Sequence, residues 1–193
     1  MTERCSWCGS DPLYVAYHDD EWGVPESDGP KLWEQLTLEG FQAGLSWITI
    51  LRKRGGFRSA FAGFDPEVIA GWGDTEVEAL LQDAGIVRHR GKIEATISNA
   101  RAFLKLENSG PGFSKFVWSY VDGTPRQPGV KSLSDIPGKT DLSVRMSKDL
   151  KKKGFRFCGP TTVYAFMQAA GLVNDHVDTC FRHAEIAKMK PGT

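Results

Sequence analysis

A chain of 193 residues, 40% of them hydrophobic, is long enough to bury one substantial core, so a single unit over residues 1–193, with room for two helical lobes, is the expected organisation. Its 24 Lys and Arg balance 24 Asp and Glu, which excludes a whole-molecule basic field and leaves any contact with a polyanion to local clusters of cations. The run Met1-Thr-Glu-Arg-Cys-Ser-Trp7 lacks an apolar secretion signal, and the longest apolar stretch, Leu45 to Leu51, is interrupted by Ser46 and Thr49 and too short to cross a bilayer.

In chain order, Asp28-Gly-Pro30 reads as a helix start, followed by Leu32, Trp33 and Leu36 at helical spacing. Asp65-Pro66 opens another helix, and Thr75-x-x-Glu78 has the form of a capping box ahead of Leu80 and Leu81. Ile93, Ile97, Ala100 and Leu104 mark a further helix, and no pair of segments alternates as strands do. Asp122 to Lys139, with Pro125, Pro128 and Pro137, is the one extended loop. No internal repeat or low-complexity tract interrupts this all-α pattern.

Four cysteines, Cys5, Cys8, Cys158 and Cys180, without a signal peptide suit reduced thiols or metal ligands in a bacterial-type cytoplasm better than disulfides. Cys5 and His18 lie near one end; His176 and Cys180 lie near the other, where a helix would put them on one face. Two Cys and two neutral His form the closed tetrahedral set of structural zinc, a clamp of roughly 10–16 kcal/mol in small peptides. Buried thiols and satisfied histidines are the plainer alternative, and Cys5-x-x-Cys8 is a competing pair.

Between residues 7 and 47 the chain places Trp7, Tyr14, Tyr17, Trp22, Trp33 and Trp47, with Glu39 among them. Aromatic faces attract cations and stack on bases, and a carboxylate adds a full negative charge, so the set suits a flat cationic ligand; core anchoring is the alternative for each ring. Two basic turns lead into helical segments. One is Gly85-Ile-Val-Arg-His-Arg-Gly-Lys92, and the other runs from Lys151 through Lys153 to Gly159, Thr161 and Thr162. Amides and cations at such turns can hold a phosphate backbone, or the turns are ordinary solvated helix ends.

Four blocks in order carry a resemblance: Asp11 to Pro25 (DPLYVAYHDDEWGVP), Glu39 to Trp47 (EGFQAGLSW), Asp83 to Lys92 (DAGIVRHRGK) and Gly171 to His176 (GLVNDH). The chain resembles the bacterial type I DNA-3-methyladenine glycosylases, divergent members of the helix-hairpin-helix glycosylases, from about Glu3 to Arg182. The resemblance implies an all-α helix-hairpin-helix glycosylase fold in which one structural zinc, held by Cys5, His18, His176 and Cys180, joins segments of about 1–20 and 172–185. Cys8 is outside that pattern. It further implies that Glu39 contacts the alkylated base, and that Tyr14, Tyr17, Trp22 and Trp47 wall the pocket with Trp7 close by. Gln42, Leu45, Gly159, Thr161, Thr162 and Lys153 would meet the DNA, Leu45 at the gap left by the flipped base.

The implied reaction is hydrolysis of the N-glycosidic bond of 3-methyladenine flipped from duplex DNA. Many relatives in the wider superfamily use an Asp beyond the hairpin, and Asp178 falls near that position although the family most resembled lacks the acid. Relatives that also nick DNA carry a Schiff-base Lys just after the hairpin glycine, where this chain has Thr161 and Thr162, so base removal without strand cleavage is expected. Alkylated double-stranded DNA is the expected partner, with no membrane and no obligate protein partner, and a monomer suffices. The rivals are a non-catalytic, zinc-stabilised helix-hairpin-helix module on distorted DNA and, more distantly, a protein-interaction scaffold.

Overall fold

Aspartate followed closely by proline sets three of the helix starts in the computed structural model, which describes residues 3–192. Met1, Thr2 and Thr193, the ends of the unit expected from the sequence, lie outside the described residues. Asp11 caps α1 (Pro12–Asp20) by accepting from the amides of Leu13 and Tyr14. Asp28 caps α2 (Gly29–Gln42) through the Lys31 amide, and Asp65 caps α4 (Pro66–Ala70). Between them runs α3 (Trp47–Ala60).

The expected capping box at Thr75 and Glu78 is displaced. Helix α5 (Asp74–Leu80) begins earlier, and Glu76 accepts from the amide of Gly73 at 2.8 Å, which leaves Thr75 inside the first turn. The chain continues through α6 (Arg90–Ser109), α7 (Phe113–Trp118), α8 (Asp141–Lys152), α9 (Pro160–Ala169) and α10 (Phe181–Ile186). Among the described residues there are no strands, only two isolated parallel bridges, and no helix is long and apolar enough to cross a membrane.

Leu32, Trp33 and Leu36 on α2 pack with Ile93, Ile97, Ala100 and Phe103 on α6 and with Val163, Phe166 and Met167 on α9. Leu104, expected on the same face of α6, is half-buried against this cluster. Burying a side chain of this kind contributes roughly 1.5–3 kcal/mol, which makes the three-helix contact the centre of the fold. A second cluster joins the ends of the chain: Cys5, Tyr17 and Trp22 meet Val177 and Cys180, with Leu51 and Ala169 beside them.

The loop read between Asp122 and Lys139 is anchored along its length. The amide of Arg126 donates to Leu172 O and that of Asn174 to Arg126 O, both at 2.9 Å, while that of Asp178 donates to Val130 O at 2.8 Å. Close approach of the 23–25 segment requires Gly171: at φ +74°, a Cβ there would lie 2.5 Å from Pro25 N and 2.6 Å from Gly23 O. These contacts set the segment holding His176 against the end of α1.

Candidate active site and metal cluster

Glu39 stands on the buried face of α2, one turn beyond Leu36, where the spacing calls for another apolar residue. It is 4% exposed, and burial pushes its carboxyl up to about 8 from an ordinary 4.5. It opens onto a cavity of about 210 Å³ walled by Trp7, Tyr14, Tyr17, Trp22 and Trp47, with Gln42 at its edge. Trp33, the remaining tryptophan of that stretch, is a core anchor instead. Among the described residues, Glu39 is the one ionisable acid or base lining the cavity besides its tyrosines.

The rings fix one another's orientation. Trp7 lies 5.0 Å from Tyr14 and 4.9 Å from Trp22, and Tyr17 lies 5.4 Å from Trp47, measured between ring centroids. The indole N–H groups of Trp7 and Trp47 are buried without partners among the described residues, so the wall carries two free donors. Burial, then the nearby Glu39, raises the Tyr17 phenol, which stays protonated. Behind Tyr17 and Trp47 a hollow of about 250 Å³ is lined by charges of both signs, including the pairs Arg54–Glu21 and Arg58–Glu34, whereas the aromatic cavity holds a single acid.

Three lining residues escaped the sequence reading: Ile136, Ala165 and Gln168. Ile136 comes from the anchored loop, whereas Ala165 and Gln168 share a face of α9 with Thr161. A glutamine closing the apolar run Tyr164-Ala-Phe-Met was the available signal.

The expected DNA-facing residues fall into two groups. Leu45 is 40% exposed at the turn after α2, which Gln42 braces by donating from Nε2 to Leu45 O at 2.8 Å. Gly159 precedes Pro160 at the start of α9, with Thr161 exposed and Thr162 half-buried in the first turn. Lys153 is exposed, with its ammonium 5.2 Å from the centre of the Phe116 ring. Lys92 corrects the reading of the earlier basic turn: its ammonium is buried and donates to Phe41 O and Ala43 O, both at 2.8 Å, so it caps α2 instead of facing outward.

Asp178 lines no part of the cavity. Its carboxylate is exposed on the segment between His176 and Cys180, 3.6 Å from the His183 ring.

Cys5, His18, His176 and Cys180 are all buried, with their ligand atoms within 4.8 Å of one another. Cys5 Sγ lies 3.6 Å from His176 Nδ1; Cys180 Sγ lies 3.5 Å from both His176 Nδ1 and His18 Nε2. Metal–sulfur and metal–nitrogen bonds of about 2.3 and 2.0 Å in a tetrahedron imply sulfur–nitrogen edges of roughly 3.5 Å, so these four side chains have the spacing to hold a metal ion. His18 Nδ1 meets Asp19 Oδ1 at 2.7 Å, and His176 Nε2 meets the Trp22 carbonyl at 3.0 Å; each ring thereby turns its other nitrogen toward the thiols. Burial holds both imidazoles toward the neutral form, His176 down to about 4, and raises Cys5 to about 12. Cys8 is apart from the set, its thiol donating to the Cys5 carbonyl at 3.1 Å.

The family described as methyladenine glycosylase matches residues 7–183. DNA-3-methyladenine glycosylase 1 of Escherichia coli (strain K12) is 57% identical over 178 residues, covering 92% of this chain and 95% of that protein. DNA-3-methyladenine glycosylase of Haemophilus influenzae is 51% identical, covering 93% of this chain and 97% of its own. Among solved structures, a variant of 3-methyladenine DNA glycosylase I in complex with 3-methyladenine superposes with a TM-score of 0.90 at 41% identity, covering 92% of this chain and 96% of that one. With a family match over residues 7–183 and relatives more than half identical over nine-tenths of its length, the chain belongs to the methyladenine glycosylase family.

Proposed function

We infer that this protein is a DNA-repair hydrolase that cleaves the N-glycosidic bond of 3-methyladenine turned out of the double helix. The observation that carries the reading is Glu39, a lone buried carboxyl in an aromatic cavity of base dimensions. Methylation at N3 leaves the nucleoside formally cationic, so the base is already a good leaving group and recognition can dominate. A cation entering the cavity restores the ionised form of Glu39 that burial alone disfavours, and the faces of Tyr17 and Trp47 add quadrupolar attraction. Unmodified adenine brings no charge to offset the cost of ionising buried Glu39 or of leaving the duplex stack, so it is selected against.

Ground-state attraction to the cation does not by itself speed cleavage, because the departing base becomes neutral while positive charge moves to the sugar. Glu39 is the one charged side chain lining the cavity and therefore the one placed to remain attractive to that charge. Leu45 would fill the gap in the duplex, braced by Gln42, with Trp7, Tyr14 and Trp22 enclosing the base. The segment from Lys151 to the start of α9 serves as the hairpin of a helix-hairpin-helix unit, whose amides at Gly159, Thr161 and Thr162 would hold a backbone phosphate.

Cys5, His18, His176 and Cys180 would hold one structural zinc ion, which supplies folding energy by clamping the chain ends; four protein ligands leave no position for a reacting water. Alkylated duplex DNA is the partner, and cytoplasmic action as a monomer suits the reading, since one chain supplies every element of the site.

The test is release of free base from methylated duplex DNA, resolved by chromatography. Wild type releases 3-methyladenine, and Glu39→Ala abolishes release while retaining bulk duplex binding. Undiminished release by the variant overturns the assignment, and duplex binding without release by the wild type favours the non-catalytic module.

A further inference from the structure

Helix α9 sends into the cavity one polar side chain that the reaction as derived does not use. Gln168 lines the cavity, and its Nε2 donates to Asp175 Oδ2 at 2.8 Å. The same oxygen accepts the Tyr164 hydroxyl at 2.6 Å, and Asp175 is 1% exposed. An amide oxygen in that position would face the carboxylate's lone pairs, so the network decides which end of the amide is which. The NH2 group is held by Asp175, leaving Oε1 as the free end. That oxygen accepts no hydrogen bond from the described residues and is not a buried orphan, so it remains open to a ligand.

Charge recognition by Glu39 and the rings leaves one problem unsolved. Purines methylated at N3 are cationic as nucleosides whether they derive from adenine or guanine, so attraction to positive charge does not by itself separate the two. They differ at C6, where adenine carries an amino donor and guanine a carbonyl acceptor. An oriented acceptor can read that difference, because a second acceptor placed against it is left unpaired.

We propose that Gln168 determines specificity for the excised base, with its Oε1 accepting an N–H from the 6-amino group of an adenine-type base and disfavouring a 6-oxo purine. Asp175 is the positioning residue, acting through Gln168 by fixing the polarity of its amide, and Tyr164 completes the brace. The proposal rests on the aromatic cavity being the base pocket.

Single-turnover excision of 3-methyladenine and 3-methylguanine from the same methylated duplex tests it. Loss of one neutral hydrogen bond corresponds to about a tenfold change. Gln168→Leu is expected to slow adenine release by about tenfold and leave guanine release within about twofold, collapsing the wild-type preference. An equal loss for both bases, or an unchanged ratio, overturns the proposal. Asp175→Asn supplies an N–H that can hold Gln168 Oε1 and free its NH2 for the cavity, so the ratio should move toward guanine. An unmoved ratio in this variant overturns the positioning role. If Gln168→Leu fails to fold, Gln168→Met is scored by quenching of tryptophan fluorescence with free 3-methyladenine and free 3-methylguanine, under the same criterion. Wild-type protein that releases no methylated base defeats the pocket reading itself, an outcome distinct from release with an unaltered ratio.

Discussion

Cys180 Sγ lies 3.5 Å from His18 Nε2, although 162 positions of sequence separate the two residues. That contact closes the four-residue Cys/His cluster and brings the far end of the chain against α1. The purified protein is expected to carry one zinc by elemental analysis. Cys180→Ser should lose the ion and melt more than 10 °C lower, since removal of a structural metal withdraws folding energy directly. Excision per folded molecule should be retained at low temperature. Loss of excision with unchanged melting and unchanged metal content would defeat the clamp.

Glu39 gives stability a pH dependence of known sign. Its carboxyl sits near 8 when folded and near 4.5 when free, so between those values the folded chain keeps a proton that the unfolded chain has released. Stability is therefore lost as pH rises through this window, by up to about 1.4 kcal/mol per unit. Glu39→Gln should match wild type near pH 4.5 and be more stable by a few kcal/mol near pH 8, read from denaturant midpoints. A pH-independent difference would reject this account. Because a cationic base favours the ionised acid, wild-type excision should rise between pH 6 and 8.

Lys92 holds the last turn of α2 through Phe41 O and Ala43 O. Lys92→Met leaves two carbonyls without that donor and should destabilise by about 2–3 kcal/mol in chemical denaturation. Excision should weaken as the turn carrying Leu45 loosens. Stability within about 0.5 kcal/mol of wild type would show the cap to be dispensable.

Leu45 contributes little to the core because its side chain is largely in solvent. Leu45→Ala should change stability by less than about 0.5 kcal/mol. It should slow excision from a fully paired duplex by about tenfold while sparing a substrate whose target base is unpaired, since the wedge offsets the energy of flipping. Equal slowing on both substrates would remove Leu45 from that role.

Thr161 and Thr162 follow Gly159 in the first turn of α9, and among the described residues no lysine lines the aromatic cavity. Borohydride treatment of the enzyme with methylated DNA should trap no covalent adduct, and the product strand should stay intact until alkali is added. A trapped adduct would reverse the assignment.

Much of the site was legible in sequence because its chemistry is dense and local. Glu39 and five aromatics lie within one stretch, and all of them reach the same cavity. Gln168 was not legible: it comes from α9, and its meaning depends on which end of its amide Asp175 holds. Lys92 was misread for a related reason. A lysine beside arginines at a turn looks solvated, and only the arrival of the end of α2 converts its ammonium into a buried cap.

Sequence by itself determined the helical character, because apolar spacing and Asp–Pro starts act over a few residues. It also determined the identities of the two thiols and two imidazoles that meet. The tertiary structure decided what needs long-range closure: the spacing of those four side chains, the burial that lifts Glu39 to about 8, and the braced amide at the cavity wall. Desolvation and hydrogen-bond polarity arise from neighbours that only packing supplies, so no local pattern of residues carries them.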